Sequence, residues 1–146
     1  MGNFENFPNA KTKHSNFCYT FMRNQQILSL RPVLQLPLTE TGISEHFQNT
    51  TLRPILKYQH DLMVLLFKNY IRKHKNAYFK LTPLQKLDYI QQAVKTDLAF
   101  KNRLAGLIIG HFTDDEFLTF SENETELLRR LTDLIVQRLQ SAIQDF

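Results

Sequence analysis

The stretch LRPILKYQHDLMVLLFKNY, residues 52–70, decides the fold class. Within it Leu52, Ile55, Leu56, Gln59, Leu62, Met63, Leu66, Phe67 and Tyr70 recur three and four positions apart, the spacing of an α-helix with one buried face. All six residues from Leu62 to Phe67 are apolar. Such a helix needs cover on more than one side, which predicts the central helix of a bundle. Pro54 suits a first helical turn, where its missing N–H is not required. The helix is therefore expected to open there and to end near Lys75 and Asn76, spanning roughly 35 Å.

Working outward toward the C-terminus, Thr82-Pro83-Leu84-Gln85 combines a capping hydroxyl, Pro at the first helical position and Gln three residues after the cap. Leu84, Leu87, Ile90, Val94 and Leu98 are expected to continue the buried face. Asp97 can cap a further helix through Phe100, Leu104, Leu107 and Ile108, with Gly110 as its C-cap. Thr113 and Glu116 form a second capping box, and Phe112 and Phe117 hold the two positions of a hydrophobic staple. The last helix, about residues 123–144, is expected to bury Leu128, Leu131, Ile135, Leu139 and Ala142 and to turn Glu126, Arg130, Asp133, Gln137 and Gln140 to water. No strand pair is legible after residue 52. The fold class predicted is all-α, a small helical bundle of about four to five helices.

Toward the N-terminus, residues 27–38 are apolar but contain Pro32 and Pro37, which remove backbone donors and hold Arg31 and Leu36 extended. They read as an extended arm whose leucines cover a groove between helices. Residues 1–26 show no helical or alternating period and read as a poorly ordered tail. Residues 27–146 then form a single helical domain.

With 146 residues, 42% of them hydrophobic and 22% charged, the composition suits one globular domain and excludes global disorder. A lone cysteine, Cys18, excludes a disulfide framework or a Cys-based zinc cluster. No apolar run approaches the ~18 residues of a membrane span, so no membrane association is expected. Residues 1–21 lack the pattern of a secretory signal, and the expected location is the cytoplasm.

The net charge of +4 is unevenly spread. Residues 53–80 hold seven Lys or Arg against Asp61 alone, whereas residues 81–146 hold seven against ten acidic residues. Arg72, Lys73, Lys75, Tyr78 and Lys80 mix cations with an aromatic ring, a pattern that can meet phosphates and stack on unpaired bases. The same cations equally suit a last helical turn facing the negative end of its dipole, with Tyr78 and Phe79 as core. Asp114, Asp115, Glu116, Glu122, Glu124 and Glu126 form the acidic counterpart, mostly in opening turns of helices.

Catalytic signatures are sparse. His46, the doublet His60-Asp61 and Asp114 or Asp115 imitate loosely the order of ligands in a metal-dependent hydrolase, but the gap from His46 to His60 is short, and a half-buried His60 beside a solvated Asp61 accounts for the doublet; the candidates for a metal site are His60, Asp61, His111 and Asp114. His111 stands between a helix end and the acidic helix start, close enough in sequence to approach Asp114 or Glu116. There is no phosphate loop, dinucleotide fingerprint or nucleophile elbow. No catalytic residue is assigned and no cofactor is expected.

Leu30-Arg31-Pro32, Leu52 to Ile55, Asn69 to Ile71, Lys73 to Asn76 and Gly106 to Thr113 resemble stretches of a group of short bacterial proteins of uncharacterised function, some of which carry the label glyoxalase. That label implies a lactoylglutathione lyase built of paired βαβββ modules with a metal on His and Glu. Neither the strands nor the ligand spacing is legible here, and no catalytic residue follows from the resemblance. The functional expectation is a non-enzymatic module that binds a protein partner or assembles as a homo-oligomer. The alternatives are RNA- or ribosome-associated binding through the basic end and a metal-dependent enzyme.

Overall fold

A computed structural model describes residues 12–36 and 42–146, with side chains described at position 19 and from position 21 onward in the first segment. Its helices are α1 (Thr12–Ser29), α2 (Ile43–Phe47), α3 (Arg53–Tyr58), α4 (His60–Lys73), α5 (Pro83–Thr96), α6 (Leu98–Ile109), α7 (Asp114–Glu122) and α8 (Glu124–Ser141). A π-helical turn, Gln48–Leu52, joins α2 to α3, and 3₁₀ turns follow α4 and α8 at Ala77–Lys80 and Ile143–Asp145. No strand occurs among the described residues, so the all-α reading holds and the βαβββ modules implied by the glyoxalase label are not present there. The expected four to five helices are too few.

Three boundaries differ from the sequence reading. Residues 12–26, expected as part of an unordered tail, are helical, and the first three residues of the expected arm complete the same helix. Its described side chains are exposed or half-exposed, so no buried stripe advertised it. The arm itself is confined to residues 32–36, where Pro32, Leu34 and Leu36 are half-buried and Val33 and Gln35 are exposed, the two-residue alternation of extended chain. Pro37 and Leu38 of the expected arm, and residues 1–11 of the expected tail, lie outside the described residues.

The second difference concerns Pro54. It does not open the helix, which begins eleven residues earlier at Ile43 and runs through the π-turn into α3. Proline cannot donate to the carbonyl four residues back and its ring crowds that carbonyl. The wider π-turn just upstream relieves the crowding. The helix is broken later, at Gln59 (φ −89°, ψ 7°), although the bonds Gln59 N–H to Ile55 O (2.8 Å) and Met63 N–H to Gln59 O (3.0 Å) carry the ladder across.

The third difference is which helix is central. Met63, Phe67 and Ile71 of α4 are buried, but Leu62 and Leu65 are exposed, so α4 is covered on one side only. The hub is α8, which packs against α3, α4, α5, α6, α7 and the π-turn. It buries Leu127, Leu131, Leu134, Ile135, Val136 and Leu139, a face wide enough for several neighbours. Leu128 is partly buried and packs against this core.

Three predicted helix starts form as expected. Thr82 and Gln85 exchange capping bonds (Thr82 N to Gln85 Oε1, 3.0 Å; Gln85 N to Thr82 Oγ1, 3.4 Å), and Asp97 Oδ1 accepts from Phe100 N at 3.0 Å. Thr113 and Glu116 do the same for α7. Leu84 and Leu98, expected in the core, are exposed in the first turns of α5 and α6. Of the two staple positions, Phe112 is buried against Phe47 and Phe120, while Phe117 is half-exposed.

Candidate functional site

The densest polar constellation lies at the corner between α6 and α7. The Arg31 guanidinium, at the start of the extended arm, makes a two-pronged contact with Glu116 (Nη1–Oε1 2.5 Å, Nη2–Oε2 2.7 Å) and donates from Nη2 to the His111 carbonyl at 2.7 Å. Glu116 also accepts from the Thr51 hydroxyl (3.0 Å) and the Thr113 N–H (2.8 Å). One carboxylate thus ties the arm, the π-turn and the α7 N-terminus together. The Arg31 side chain is only 9% exposed and that of Glu116 18%. Burial by itself would raise the Glu116 pKa, but the hydrogen bonds from Arg31 and Thr113, the Arg31 charge and the Thr51 hydroxyl together hold it below the ordinary carboxylate value.

A second arginine secures the same corner from α1. Arg23 donates to the carbonyls of Phe112 (3.1 Å) and Gly110 (3.4 Å) and lies 3.5 Å from Asp114. The last carbonyls of α6 accept from the N–H groups of Gly110, His111 and Phe112 and from His111 Nδ1, and the two guanidinium groups satisfy the carbonyls of the turn that follows, Gly110 to Phe112, without a left-handed glycine cap. Gly110 sits at φ −60°, a right-handed conformation open to any residue.

His111 is fully engaged in this corner. Its Nδ1 lies 3.0 Å from the Leu107 carbonyl, which can only accept, so Nδ1 carries the proton; Nε2 then accepts from the Gln59 amide at 2.9 Å. The Tyr58 ring packs 5.7 Å away. This arrangement uses both ring nitrogens and leaves no lone pair for a metal. Asp114 is turned toward Arg23, and His60 is half-buried with an unpaired Nδ1. Among the described residues no three His, Cys, Asp or Glu converge on a point that could hold a metal ion. The expected set His60, Asp61, His111 and Asp114 is not brought together as such a group, and of its members His111 has both ring nitrogens engaged while Asp114 faces Arg23.

Next to this corner the surface is apolar. Ile109, Phe112, Phe117 and Leu118, with Arg23, Thr113 and Asp114, line a shallow hollow between α1 and α7. Leu118 is 61% exposed and Phe117 50%. Tyr19, one helical turn before Arg23 on α1, is also exposed, as are Phe21 and Met22.

The basic end lies one helix length away. Gln59 touches His111 at the start of α4, and the fourteen residues from there to Lys73 amount to roughly 20 Å. Arg72, Lys73, Lys75 and Lys80 are all exposed there. Among the described residues the ion pairs involve other cations, namely Arg23, Arg31, Lys95, Arg129 and Arg130. Lys75 and Asn76 both adopt left-handed backbone (φ 57° and 56°), which turns the chain sharply out of α4. Tyr78, expected among the ligand-facing residues, is corrected to a core residue at 1% exposure, packed on Phe67, Tyr89 and Phe146 with the Lys86 ammonium 5.0 Å from its ring centre. Burial pushes its phenol pKa up. Its neighbour Phe79 is 57% exposed.

Sequence reasoning missed Arg31 and Arg23 as functional groups. The only available signal was an arginine beside Pro32, and nothing local tells that its partner is eighty-five residues away. Comparisons with protein-family models, with curated proteins and with solved structures find no match.

Proposed function

We propose that the protein is a helical interaction module that binds a protein partner through the surface shared by α1 and α7. The observation that carries this reading is the exposed apolar lining of the α1–α7 hollow, Phe117 and Leu118, with Tyr19 exposed one helical turn before the Arg23 that lines it from α1. Contiguous apolar exposure rimmed by charge marks contact surfaces on folded proteins. Because α7 carries Asp114, Asp115 and Glu122 and no cation, the partner that fits it presents apolar side chains flanked by Lys or Arg. The arm and its Arg31–Glu116 anchor hold the corner rigid, so little order has to be created on binding.

Affinity capture from a native lysate, run side by side with the protein and its Phe117→Ser, Leu118→Glu double variant, tests this. A protein retained by the parent and lost by a variant of unchanged helicity is the expected result. Identical captures from both, or none from either, would refute the reading. No catalytic step is assigned, since Glu116 and both ring nitrogens of His111 are engaged by groups of the corner itself.

A further inference from the structure

We infer that the turn after α4 is a binding site for single-stranded nucleic acid, independent of the α1–α7 surface and at the far end of α4 from it. Three observations converge on this turn. Arg72, Lys73, Lys75 and Lys80 are exposed within nine residues and none has a carboxylate within ion-pair distance among the described residues, whereas Arg23, Arg31, Lys95, Arg129 and Arg130 are paired. Exposed cations without internal partners are free to replace the counterions of a phosphate backbone.

The second observation is Phe79, a large ring more than half exposed within the same nine-residue stretch as these cations. Burial elsewhere would be its ordinary fate; here its neighbour Tyr78 takes the core position, and the 3₁₀ geometry, about a third of a turn per residue, leaves Phe79 on the surface with its ring edge-on to that of Tyr78, centres 5.8 Å apart. An exposed aromatic face between cations is the platform on which unpaired bases stack. A base-paired duplex offers no such face, so the arrangement favours single strands.

The third observation is that the turn is held in place before any ligand arrives. Tyr78 is anchored among Phe67, Tyr89 and Phe146. His74 stacks on Tyr70 with ring centres 4.0 Å apart, and its Nδ1 donates to the Tyr70 carbonyl at 2.8 Å. The Tyr70 phenol is itself pushed up to about 12 by burial and then by Asp97, so it stays neutral behind the basic surface. The paired left-handed residues Lys75 and Asn76 fix the direction in which the cations project.

Titration of the full chain with a fluorescent oligouridylate of about ten nucleotides, a length within the range such sites take, provides the test. With three to four phosphates engaged, log K should fall against log salt with a slope of about −2 to −3. Arg72→Ser, Lys73→Ser, Lys75→Ser in one chain should bring the slope to about −1 or shallower. Phe79→Ala should weaken binding by about 5- to 100-fold while leaving the salt slope unchanged, because stacking and charge are separate contributions. All four side chains are exposed, and circular dichroism checks that each variant keeps its helices. No binding at low salt would overturn the inference. So would affinity indifferent to Phe79→Ala, equal affinity for a duplex of the same length, or equal affinity for phosphatidylserine-containing vesicles, each of which would mean adhesion to any polyanion.

Discussion

The α6–α7 corner and the turn after α4 use the same residue types to opposite ends. At the corner, Arg23 and Arg31 meet carbonyls and carboxylates from their own chain, and Glu116 accepts from three partners. After α4, Arg72 finds only Asn69 within its own helix, and Lys73, Lys75 and Lys80 lie exposed outside any ion pair. Charge that is desolvated and paired serves the fold, and charge left in water is available to a ligand. The difference is one of burial and geometry, not of composition.

The sharpest way to break this comparison is to remove the carboxylate at the corner. Glu116→Ala leaves Arg31 buried without its counter-charge and should cost about 3 to 5 kcal/mol in urea unfolding. A loss below about 1 kcal/mol would mean that the arm is not anchored there. A comparable loss, about 3 to 5 kcal/mol, is expected for Phe67→Ala in the core under the basic turn. Leu62→Ala, on the exposed side of the same helix, should be far milder, which checks the register of α4 directly.

Acid sharpens the contrast next. The Glu116 carboxyl is held below its unfolded value of 4.5, so its contribution is fully present above that value and is lost as pH falls through the lower folded value. In that window the unfolded chain takes up a proton that the folded one does not. Urea midpoints measured from pH 7 downward should therefore fall more steeply for the parent than for Glu116→Gln, which lacks this carboxyl. Equal slopes would show that Glu116 is not depressed.

Smaller effects complete the series. Thr82→Ala removes the hydroxyl that caps α5 and should cost about 1 kcal/mol by thermal or urea unfolding. The triple serine variant of Arg72, Lys73 and Lys75 should change stability by no more than about 0.5 kcal/mol, since these cations enter no ion pair among the described residues and only Arg72 makes an exposed bond, to Asn69. Substantial destabilisation by that variant would place the basic turn on the structural side of the comparison.

Much of the helical scaffold was legible because its signals are local. The capping boxes at Thr82 and Thr113 and the cap at Asp97 each lie within four residues of chain, and all three form. Met63 and Phe67 were read correctly as core and Leu62 was not, because a run of six apolar residues hides which third of the helix faces inward. Helix α1 was illegible for the opposite reason: its described residues bury no stripe, so no period marks it. At the basic end the cations were visible, but Tyr78 and Phe79, read alike as stacking rings or as core, part company: Tyr78 is buried and Phe79 exposed. Only the turn geometry separates adjacent aromatics into one buried and one exposed.

By itself the sequence determined an all-helical chain, its main helix starts, its uneven charge and the absence of a run of apolar residues able to form a membrane-spanning helix, since each of these depends on composition or on neighbours a few positions apart. Tertiary structure alone decided that α8 is the hub, that Arg31 reaches Glu116, that His111 is occupied on both nitrogens and that the cations after α4 stay unpaired. Those outcomes depend on which surfaces meet across long stretches of chain, and burial then converts the same charges into anchors in one place and leaves them free in another.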